Sequence, residues 1–475
     1  MIVGSGFSGL CLGIKLHESG MRDFVILEKS SDLGGTWRDN RYPGCACDVP
    51  SYLYSYSFAP GRSWSRMYAE APEIQDYLQQ VATERGVRPY IRYGAELVKA
   101  THDGERWLVE TKDGRQWSAE ILTIAAGALS VPQMARVPGI ETFAGPSFHS
   151  AAWRDDVPLE NKRVAVIGTG ASAIQFVPHV AKRAGHLTLF QRTPPWILPR
   201  IDRPFTAREK ALLSRPAIAK LYRAWIYSTR ELTAIGFIGD NFVLEVGRYR
   251  ARKHLESQVA DPELRKKLAP SYALGCKRIL ISNDYYPALG LPHVALNTTA
   301  IEKVTPEGVV TTDGVLHRAD VLIHGTGFKV QEYLKAVEIT GPGGRSLGET
   351  WKTGAEAYKG TVVSGFPNLF LLMGPNTALG HSSVVFMAEA QVRYVMRAIE
   401  HIDRQKIARI DVKPEVQAAY NAEIEKRLQT TVWKTGCDSW YQNEHGKNTT
   451  LWPGFTFEFR SRLKRFDPES FITSS

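Results

Sequence analysis

The sequence lacks the features of a membrane or exported protein. It contains no run of about 18 consecutive apolar residues, which a membrane-spanning helix requires. Its opening residues, MIVGSGFSGL, contain no basic region followed by an apolar stretch, as a secretory signal would. Only 5 cysteines are present, an odd and scattered set, so a reducing cytoplasm fits better than a disulfide framework. Cys45 and Cys47 have no second pair or histidine cluster nearby, and we expect no metal site.

The sequence also lacks blocks of like charge. The formal net charge is +10, but the basic residues are dispersed and no nucleic-acid-recognition motif accompanies them. We therefore expect no nucleic-acid partner. A hydrophobic content of 43% and a charged content of 23% are typical of a globular protein, and 475 residues favour two or three domains.

A glycine-rich loop opens the chain. Gly4, Gly6 and Gly9 form the pattern G-x-G-x-x-G between a short apolar stretch and an amphipathic run. In dinucleotide-binding folds this pattern joins a strand to a helix, and the glycines let the backbone approach a pyrophosphate at the helix N-terminus. The next apolar segment, DFVILEKS, contains Glu28 about 20 residues further on, where an acid accepts a hydrogen bond from a ribose hydroxyl. We predict a dinucleotide site here; the alternative is a glycine-rich turn without a ligand.

A second loop of the same kind follows. Gly168, Gly170 and Ala173 form G-x-G-x-x-A, again after an apolar segment and before a helical pattern. At the position that corresponds to Glu28, this second copy has Arg192. A carboxylate repels a 2′-phosphate whereas an arginine binds it, so this loop should prefer NADP(H) to NAD(H). The alternative is a surface arginine at the end of a strand.

Two dinucleotide loops indicate two cofactors, most simply FAD at the acidic loop and NADPH at the basic one. The expected fold class is α/β, with two Rossmann-like dinucleotide-binding domains and a helical insertion in the NADP domain. Chain breakers and changes of periodicity suggest the domain boundaries. The predicted divisions are 1–140 and 330–475 for a discontinuous FAD domain, 141–155 for a hinge linker, 156–204 and 272–329 for the NADP domain, and 205–271 for the helical insertion.

The linker contains a fingerprint of four residues. Phe143, Gly145, His149 and Trp153 match F-x-G-x-x-x-H-x-x-x-W, and with it the sequence resembles the type I Baeyer–Villiger monooxygenases, which are class B flavin-containing monooxygenases. The family usually has Pro or Asp after the Trp, where this chain has Arg154. The resemblance covers essentially the whole chain, because GGTW, NRYPGCACDVPS, GTGASA, QRTPPW, GCKRILIS, GPNTALGHSS and GCDSWY occur in the family's order.

The composition of this linker segment is too polar for a buried strand. The resemblance implies a hinge in which His149 and Trp153 assist the movement of the two domains. A packed linker without that role is the alternative.

The resemblance implies an NADPH- and O2-dependent oxidation of a ketone, in which a flavin peroxide inserts one oxygen atom beside the carbonyl and gives an ester or lactone. Arg278 matches the family's arginine that keeps the peroxide anionic, a role that suits a side chain that does not lose its proton. Asp48 matches the acid that pairs with this arginine near the flavin, and Trp440 matches an aromatic residue of a mobile substrate loop. The plainer alternatives are a basic pair at a strand start, a turn aspartate and a core tryptophan.

The motifs and the resemblance together give the predicted cofactor contacts. Those to FAD are Gly4, Gly6, Ser8, Gly9, Glu28, Thr36, Trp37, Asp48, Tyr54 and Asn376. Those to NADP are Gly168, Thr169, Gly170, Ala171, Ser172, Ala173, Gln175, Arg192, Thr193 and Lys277.

Other functions stay open at this point. A flavin monooxygenase that oxygenates nitrogen or sulfur would not need Arg278 and usually has Tyr or Phe in place of Trp153. A disulfide reductase requires C-x-x-C or C-x-x-x-x-C near the flavin, which C-A-C does not supply. A nucleotide sensor would bind flavin without its reduction by NADPH. The sequence leaves open which ketone is oxidised and with what selectivity, whether the protein is a monomer or a homodimer, and whether residues precede Met1.

Overall fold

The computed structural model describes residues 1–61, 63–239, 241–332, 334–434, 437 and 439–474. The strands in chain order are β1 Ile2–Val3, β2 Ile26–Leu27, β3 Ile91–Arg92, β4 Leu97–His102, β5 Trp107–Thr111, β6 Gln116–Ala119, β7 Leu122–Ile124, β8 Ser147–His149, β9 Arg163–Ile167, β10 His186–Phe190, β11 Ile197–Leu198, β12 Leu280–Ile281, β13 Val294–Asn297, β14 Ile301–Thr305, β15 Gly308–Thr311, β16 Leu316–Arg318, β17 Val321–His324, β18 Glu338–Thr340, β19 Leu369–Leu371, β20 Arg409–Val412 and β21 Phe471–Ser474. The α-helices are α1 Phe7–Glu18, α2 Thr36–Asp39, α3 Ala71–Glu84, α4 Ala173–Ala181, α5 Ala207–Leu213, α6 Pro216–Ile238, α7 Asn241–Gln258, α8 Pro262–Leu268, α9 Tyr285–Leu289, α10 Leu347–Thr350, α11 Val384–Gln405, α12 Pro414–Leu428 and α13 Thr456–Arg462.

The first parallel sheet has the strand order β19-β7-β1-β2-β3. Its strands are short and almost wholly buried, which suits parallel strands covered on both faces. Helix α1 follows β1 and buries the apolar side of its amphipathic run against α11. Because β19 comes from the C-terminal part of the chain, residues from both ends of the sequence form this one sheet.

The second parallel sheet has the order β13-β10-β9-β17-β8. The expectation that the fingerprint segment is too polar for a buried strand is wrong, because β8 is the edge strand of this sheet and Phe148 and His149 within it are buried. A strand of three residues is too short to show a period-2 pattern, so its neighbours in the sheet decide its conformation. The predicted hinge linker is therefore attached to the second sheet by backbone pairing.

The helical insertion consists of α5 to α8, as the spacing of its apolar residues predicts. Helix α5 begins with a capping box, because the Thr206 hydroxyl accepts from the backbone N–H of Glu209 while the Glu209 carboxylate accepts from the backbone N–H of Thr206. Proline at the first helical position starts both α6 and α8. After the insertion, β12 pairs with β11 and the chain returns to the second sheet.

Two further findings concern expectations from composition. None of the helices in the described part of the chain is both long enough and apolar enough to cross a membrane. Cys276 and Cys437 form a disulfide, with their Cα atoms 6.2 Å apart, whereas Cys11, Cys45 and Cys47 are free and buried. The sequence offered no sign of this bridge, because its two cysteines are 161 residues apart.

Candidate active site

The first glycine loop has the shape that a pyrophosphate requires. Gly4 has φ +102°, and a Cβ there would lie 2.5 Å from the carbonyl oxygen of Ala125. A Cβ on Gly9 would lie 1.9 Å from the carbonyl oxygen of Gly4, so both positions demand glycine. Gly6 differs, because the nearest atom to a Cβ there is the Cα of Gly35 at 3.8 Å. The space beside Gly6 is therefore open for a ligand, whereas the other two glycines let the strand and the helix pack closely.

Glu28 lies at the end of β2, as predicted, and is fully hydrogen-bonded. One carboxylate oxygen accepts from the backbone N–H of Ser5 at 3.0 Å and from its hydroxyl at 2.6 Å. The other accepts from the backbone N–H of Ser30 at 3.0 Å and from Nη1 of Arg38 at 2.9 Å. A carboxylate has about four acceptor sites, so a ribose hydroxyl must share or displace one of these donors. Arg38, which the sequence analysis did not single out, is buried and pairs with both Glu28 and Asp39.

The second glycine loop repeats this arrangement. Gly168 has φ +108°, and a Cβ there would lie 2.4 Å from the carbonyl oxygen of Gly325. Gly170 is exposed, with nothing nearer than 4.0 Å to a Cβ, so its face is open. Ala173 starts α4 and is fully buried against Gly325. The Thr169 hydroxyl closes the loop by donating to a backbone carbonyl further on, 3.1 Å away.

The segment that contains Arg192 and Thr193 lies beside the second loop, because the Thr169 hydroxyl donates to the carbonyl oxygen of Thr193. Arg192 follows β10, is exposed, and forms no hydrogen bond or ion pair with the described residues. Thr193 comes next and accepts the Thr169 bond through its carbonyl oxygen. The ammonium group of Lys277 lies 5.1 Å from the centre of the Tyr272 ring. Ala171 and Ser172 lead into α4, with Ala171 exposed, so both remain predicted contacts.

Gln175 makes a contact that the sequence did not suggest. Its Oε1 accepts from the Tyr42 hydroxyl at 2.9 Å, and its Nε2 donates to the carbonyl oxygen of Ala46 at 2.9 Å. Its side chain therefore joins α4 to the loop that leads to Asp48. The predicted contact of Gln175 with NADP stays a prediction.

Arg278 and Asp48 form an ion pair across 230 residues of sequence. Nε of Arg278 donates to Oδ2 of Asp48 at 3.1 Å, and Nη2 donates to the same oxygen. Nη1 makes no hydrogen bond with the described residues. The two side chains are 35% and 30% exposed, so the pair borders open space rather than the packed core.

The pair stays charged over the working pH range. The Asp48 carboxylate raises the pKa of Arg278 well above its ordinary value. Burial opposes ionisation of Asp48, but the charge and the hydrogen bonds of Arg278 outweigh it and lower the pKa of Asp48. Arg230 of α6 adds a smaller effect in the same direction, and its Nη2 donates to the Tyr68 hydroxyl at 2.7 Å. The insertion thus contributes a second positive charge, which no sequence pattern indicated.

Two phenols, those of Tyr54 and Tyr441, lie close enough to this ion pair to interact with its charges. Trp37, in the short helix α2 that Thr36 begins, donates from Nε1 to the Tyr54 hydroxyl at 3.1 Å. Burial raises the pKa of Tyr54 well above its ordinary value, and burial raises that of Tyr441 to about 12 despite the nearby guanidinium. Both phenols are therefore neutral at neutral pH. Tyr441 was missed by the sequence analysis, although it directly follows Trp440.

Two further FAD contacts were predicted, Ser8 and Asn376. Ser8 is half-buried in the first turn of α1. Asn376 is buried, with φ +54°, and its Nδ2 donates to the carbonyl oxygens of Asn448 and Leu451 at 2.9 and 3.1 Å. This side chain therefore ties two loops together, and its contact with FAD stays a prediction.

A disulfide joins the segment around Trp440 to the segment that contains Arg278. Trp440 is 41% exposed, and its ring lies 4.3 Å from that of Tyr441. Cys437 of the same segment bonds to Cys276, two residues before Arg278. Thr435, Gly436 and Asp438, which belong to the expected substrate loop, lie outside the described residues. The disulfide holds the arginine and this segment at one place in the fold.

The fingerprint residues pack between strands rather than around the ion pair. Phe143 is buried, and a Cβ on Gly145 would lie 2.3 Å from the carbonyl oxygen of Asp320. The Trp153 ring lies 5.3 Å from that of Phe148. His149 pairs across the sheet with His324, which the sequence analysis missed. Burial lowers the pKa of His149, and burial followed by the neighbouring His149 lowers that of His324 to about 4.

The cysteines near the first site are poor redox groups. Burial raises the pKa of Cys45 to about 11 and that of Cys47 further, so both stay as thiols. Among the described residues, no group of histidine, cysteine and acidic side chains has the arrangement of a metal site. These residues do not support disulfide reductase chemistry.

Comparisons with known proteins agree with this geometry. Residues 1–204 match the family described as pyridine nucleotide-disulphide oxidoreductase. A Baeyer–Villiger monooxygenase of Pseudomonas aeruginosa is 43% identical over 475 residues, which is 99% of this chain and 90% of the relative. The structure of an oxidized steroid monooxygenase bound to NADP superimposes with a TM-score of 0.89 at 30% identity, and covers 100% of this chain and 98% of its own. The OTEMO complex with FAD and NADP gives a TM-score of 0.92 at 25% identity, with the same coverage of 100% and 98%. The chain therefore belongs to the Baeyer–Villiger monooxygenases.

Proposed function

We propose that this chain inserts an oxygen atom from O2 beside the carbonyl of a small-molecule ketone, with FAD and NADPH, and that Arg278 and Asp48 are its catalytic residues. The observation that carries the assignment of these residues is the partly exposed ion pair between them, whose charges act on the neighbouring phenols of Tyr54 and Tyr441. When bound, the two cofactors supply hydride transfer and the activation of dioxygen.

Arg278 holds a fixed positive charge where oxygen becomes negatively charged during transfer to a carbonyl. Its pKa is raised by Asp48, so it does not act as an acid at working pH. Both of its bonds to Asp48 go to one oxygen, which leaves Nη1 to donate to the reacting oxygen. Asp48 positions the guanidinium.

The glycine loops support a separate proposed site for each cofactor. FAD lies at the loop of Gly4, Gly6 and Gly9, where the space beside Gly6 accepts the pyrophosphate. NADPH lies at the loop of Gly168 and Gly170, and Arg192, which has no other partner among the described residues, binds its 2′-phosphate.

These sites support the proposed division of the chain. Residues 1–140 and 330–475 form the FAD domain, residues 156–204 and 272–329 the NADP domain, residues 205–271 the insertion, and residues 141–155 the hinge between the domains. The protein acts in the cytoplasm as a monomer or homodimer.

A substrate panel tests the function. Purified protein with FAD and NADPH is given cyclic, aromatic and linear ketones and a thioether, and the products are identified by mass spectrometry. We expect esters or lactones from at least one class of ketone, with one NADPH consumed per product. Sulfoxide from the thioether without any ester from the ketones would show that the chain oxygenates sulfur instead.

A further inference from the structure

Helix α6 has an apolar face that no described part of the chain covers. Leu221, Trp225 and Leu232 are 71%, 59% and 63% exposed. Their spacings of four and seven residues put them on one side of the helix. Ala224 and Ser228, on the same side, are exposed and uncharged. Single exposed apolar side chains are ordinary, whereas a stripe along a helix of about 35 Å marks an interaction surface.

Helix α7 extends this surface. Phe242, Val246 and Tyr249 are 73%, 44% and 62% exposed, and their spacings of four and three residues again select one side of a helix. Helix α7 follows α6 after a short connection and packs against it. We refer to the exposed apolar residues of the two helices as the insertion face.

Positive charge predominates on the described part of the insertion that carries this face. Ion pairs already engage three acids of this region with Arg203, Arg248 and Lys253, and Glu231 is buried. The exposed basic side chains of the insertion that form no ion pair with the described residues are Arg208, Arg215, Lys220, Arg250, Arg252, Lys266 and Lys267. Among the described residues of the insertion, the exposed acids without an ion pair are Asp261 and Glu263, at the start of α8. Basic side chains therefore remain in clear excess.

The opposite side of α6 faces the candidate active site. Glu231, Ala234 and Phe237 are buried there. The Phe237 ring stacks on that of Trp433 at 5.7 Å, and it would lie 3.1 Å from a Cβ on Gly275, three residues before Arg278. One helix thus carries an exposed apolar stripe on one side and borders the Arg278 segment on the other.

We propose that the insertion face docks on the surface of an anionic lipid bilayer. Exposed apolar and aromatic side chains on a helix pair, on an insertion with an excess of unpaired lysine and arginine, fit the boundary between acyl chains and anionic headgroups. The helices lie on the membrane and do not cross it, in agreement with the absence of a spanning helix in the described chain. A second copy of this chain fits the face less well, because each copy has a net charge of +10 and the exposed, unpaired basic side chains of the described insertion outnumber its acids.

Docking also indicates the class of substrate, and this step rests on the proposed function. Helix α6 would lie between the bilayer and the Arg278 segment, so ketones that partition into the membrane would be concentrated near the site. Water-soluble ketones would gain nothing from docking.

The test uses the FAD-loaded protein and vesicles in a flotation assay. Vesicles of phosphatidylcholine alone are compared with vesicles that also contain phosphatidylglycerol. We expect binding to the anionic vesicles only, and its loss in about 1 M salt, where the screening length is about 3 Å. The double variant Leu221→Glu/Leu232→Glu should lose this binding. Ile472→Glu, which charges an exposed apolar position of β21 that is 56% exposed, is the matched control and should bind like the wild type.

A second variant distinguishes loss of docking from misfolding of the first variant. Arg250→Gln/Arg252→Gln removes two exposed charges and leaves the apolar stripe intact, and each charge should weaken binding about fivefold. Absence of wild-type binding to anionic vesicles, or equal binding by all variants, would overturn the proposal. Light scattering provides a third test. If the wild type is a dimer and the Leu221→Glu/Leu232→Glu variant is a monomer, the face joins two copies and the proposal is overturned.

The outcome is separable from that of the proposed function. Turnover of a water-soluble ketone without vesicles tests the function and should be equal in the wild type and both variants. Vesicle binding tests the docking and needs no ketone. If anionic vesicles stimulate the turnover of a long-chain ketone by the wild type but not by the variants, docking and catalysis are linked.

Discussion

Replacing Arg278 by alanine separates the role of its charge in oxygen transfer from the reduction of the flavin by NADPH. The guanidinium contacts Asp48 through Nε and Nη2, and its Nη1 has no hydrogen-bond partner among the described residues. Loss of one donor that faces a developing negative charge typically lowers the rate 10²–10³-fold, which corresponds to about 2.7–4 kcal/mol. Because this donor carries a full charge, we expect ester formation by Arg278→Ala to fall by at least about 10²-fold.

Reduction of the flavin should survive the same change. Hydride transfer depends on the relative position of the two cofactors and develops no oxygen charge beside residue 278. We therefore expect anaerobic reduction by NADPH to stay within about tenfold of the wild type, since a small misplacement of reactants alone can cost that much. The variant should consume NADPH, release hydrogen peroxide and form almost no ester.

The assay measures three quantities on the same sample: NADPH oxidation by absorbance, hydrogen peroxide by a peroxidase-coupled dye, and ester by gas chromatography. Arg278→Lys is the informative companion, because a point charge lacks the planar fork and should restore little. Arg250→Ala, on the insertion surface, is the control for removal of a positive charge elsewhere. If Arg278→Ala still makes ester at a rate near that of the wild type, the assignment of this residue is wrong.

Three further changes test other parts of the structure. Arg192→Ala should raise the Michaelis constant for NADPH at least about tenfold, because one charge-assisted contact contributes about 1.5–3 kcal/mol, and should leave the constant for NADH nearly unchanged. Equal effects on both constants would show that Arg192 does not bind the 2′-phosphate. Gly6→Ala should fold normally, because a Cβ there has space. The added methyl group should occupy the gap beside Gly35 and weaken FAD binding at least about tenfold, as measured by flavin titration. Unchanged affinity would place the pyrophosphate elsewhere. Burial and the neighbouring His149 lower the pKa of His324 to about 4 in the folded protein, whereas a histidine in the unfolded chain titrates at about 6.5. The unfolded chain therefore takes up a proton first, and the folded state loses stability as the pH falls from about 6.5 toward 4. Urea unfolding should lose about 2 kcal/mol from this group between pH 7 and pH 5, and a His324→Gln variant with the same pH dependence as the wild type would contradict this.

The sequence predicted the local parts of the sites well. Gly4, Gly9 and Gly168 are required because a side chain would strike a backbone carbonyl, and such requirements are visible in the spacing of glycines alone. Glu28 and Arg192 could be placed because each follows its loop by one strand–helix–strand unit. These features depend on the chain within about 30 residues, which is the range that pattern reasoning covers.

Features that join distant parts of the chain could not be predicted in the same way. Only the resemblance to a family paired Asp48 with Arg278, because nothing local links two residues 230 positions apart. The disulfide between Cys276 and Cys437 and the contribution of Arg230 depend on how the insertion and the C-terminal region fold against the second domain. The periodicity of α6 predicted a helix, but with apolar residues on both sides it could not say which side would be covered.

The ion pair and its surroundings explain how an arginine bound to a carboxylate can still stabilise an anion. If Arg278 and Asp48 were isolated, their charges would sum to zero, and the site would have little preference for a negative oxygen. Arg230 changes this balance, because it also acts on Asp48 while its own hydrogen bond goes to the neutral hydroxyl of Tyr68 rather than to an acid. The three charges leave the site with a net positive charge, and Tyr54 and Tyr441 do not cancel it, because their raised pKa values keep both phenols neutral. Asp48 can therefore fix the direction of the guanidinium while the site as a whole still attracts negative charge.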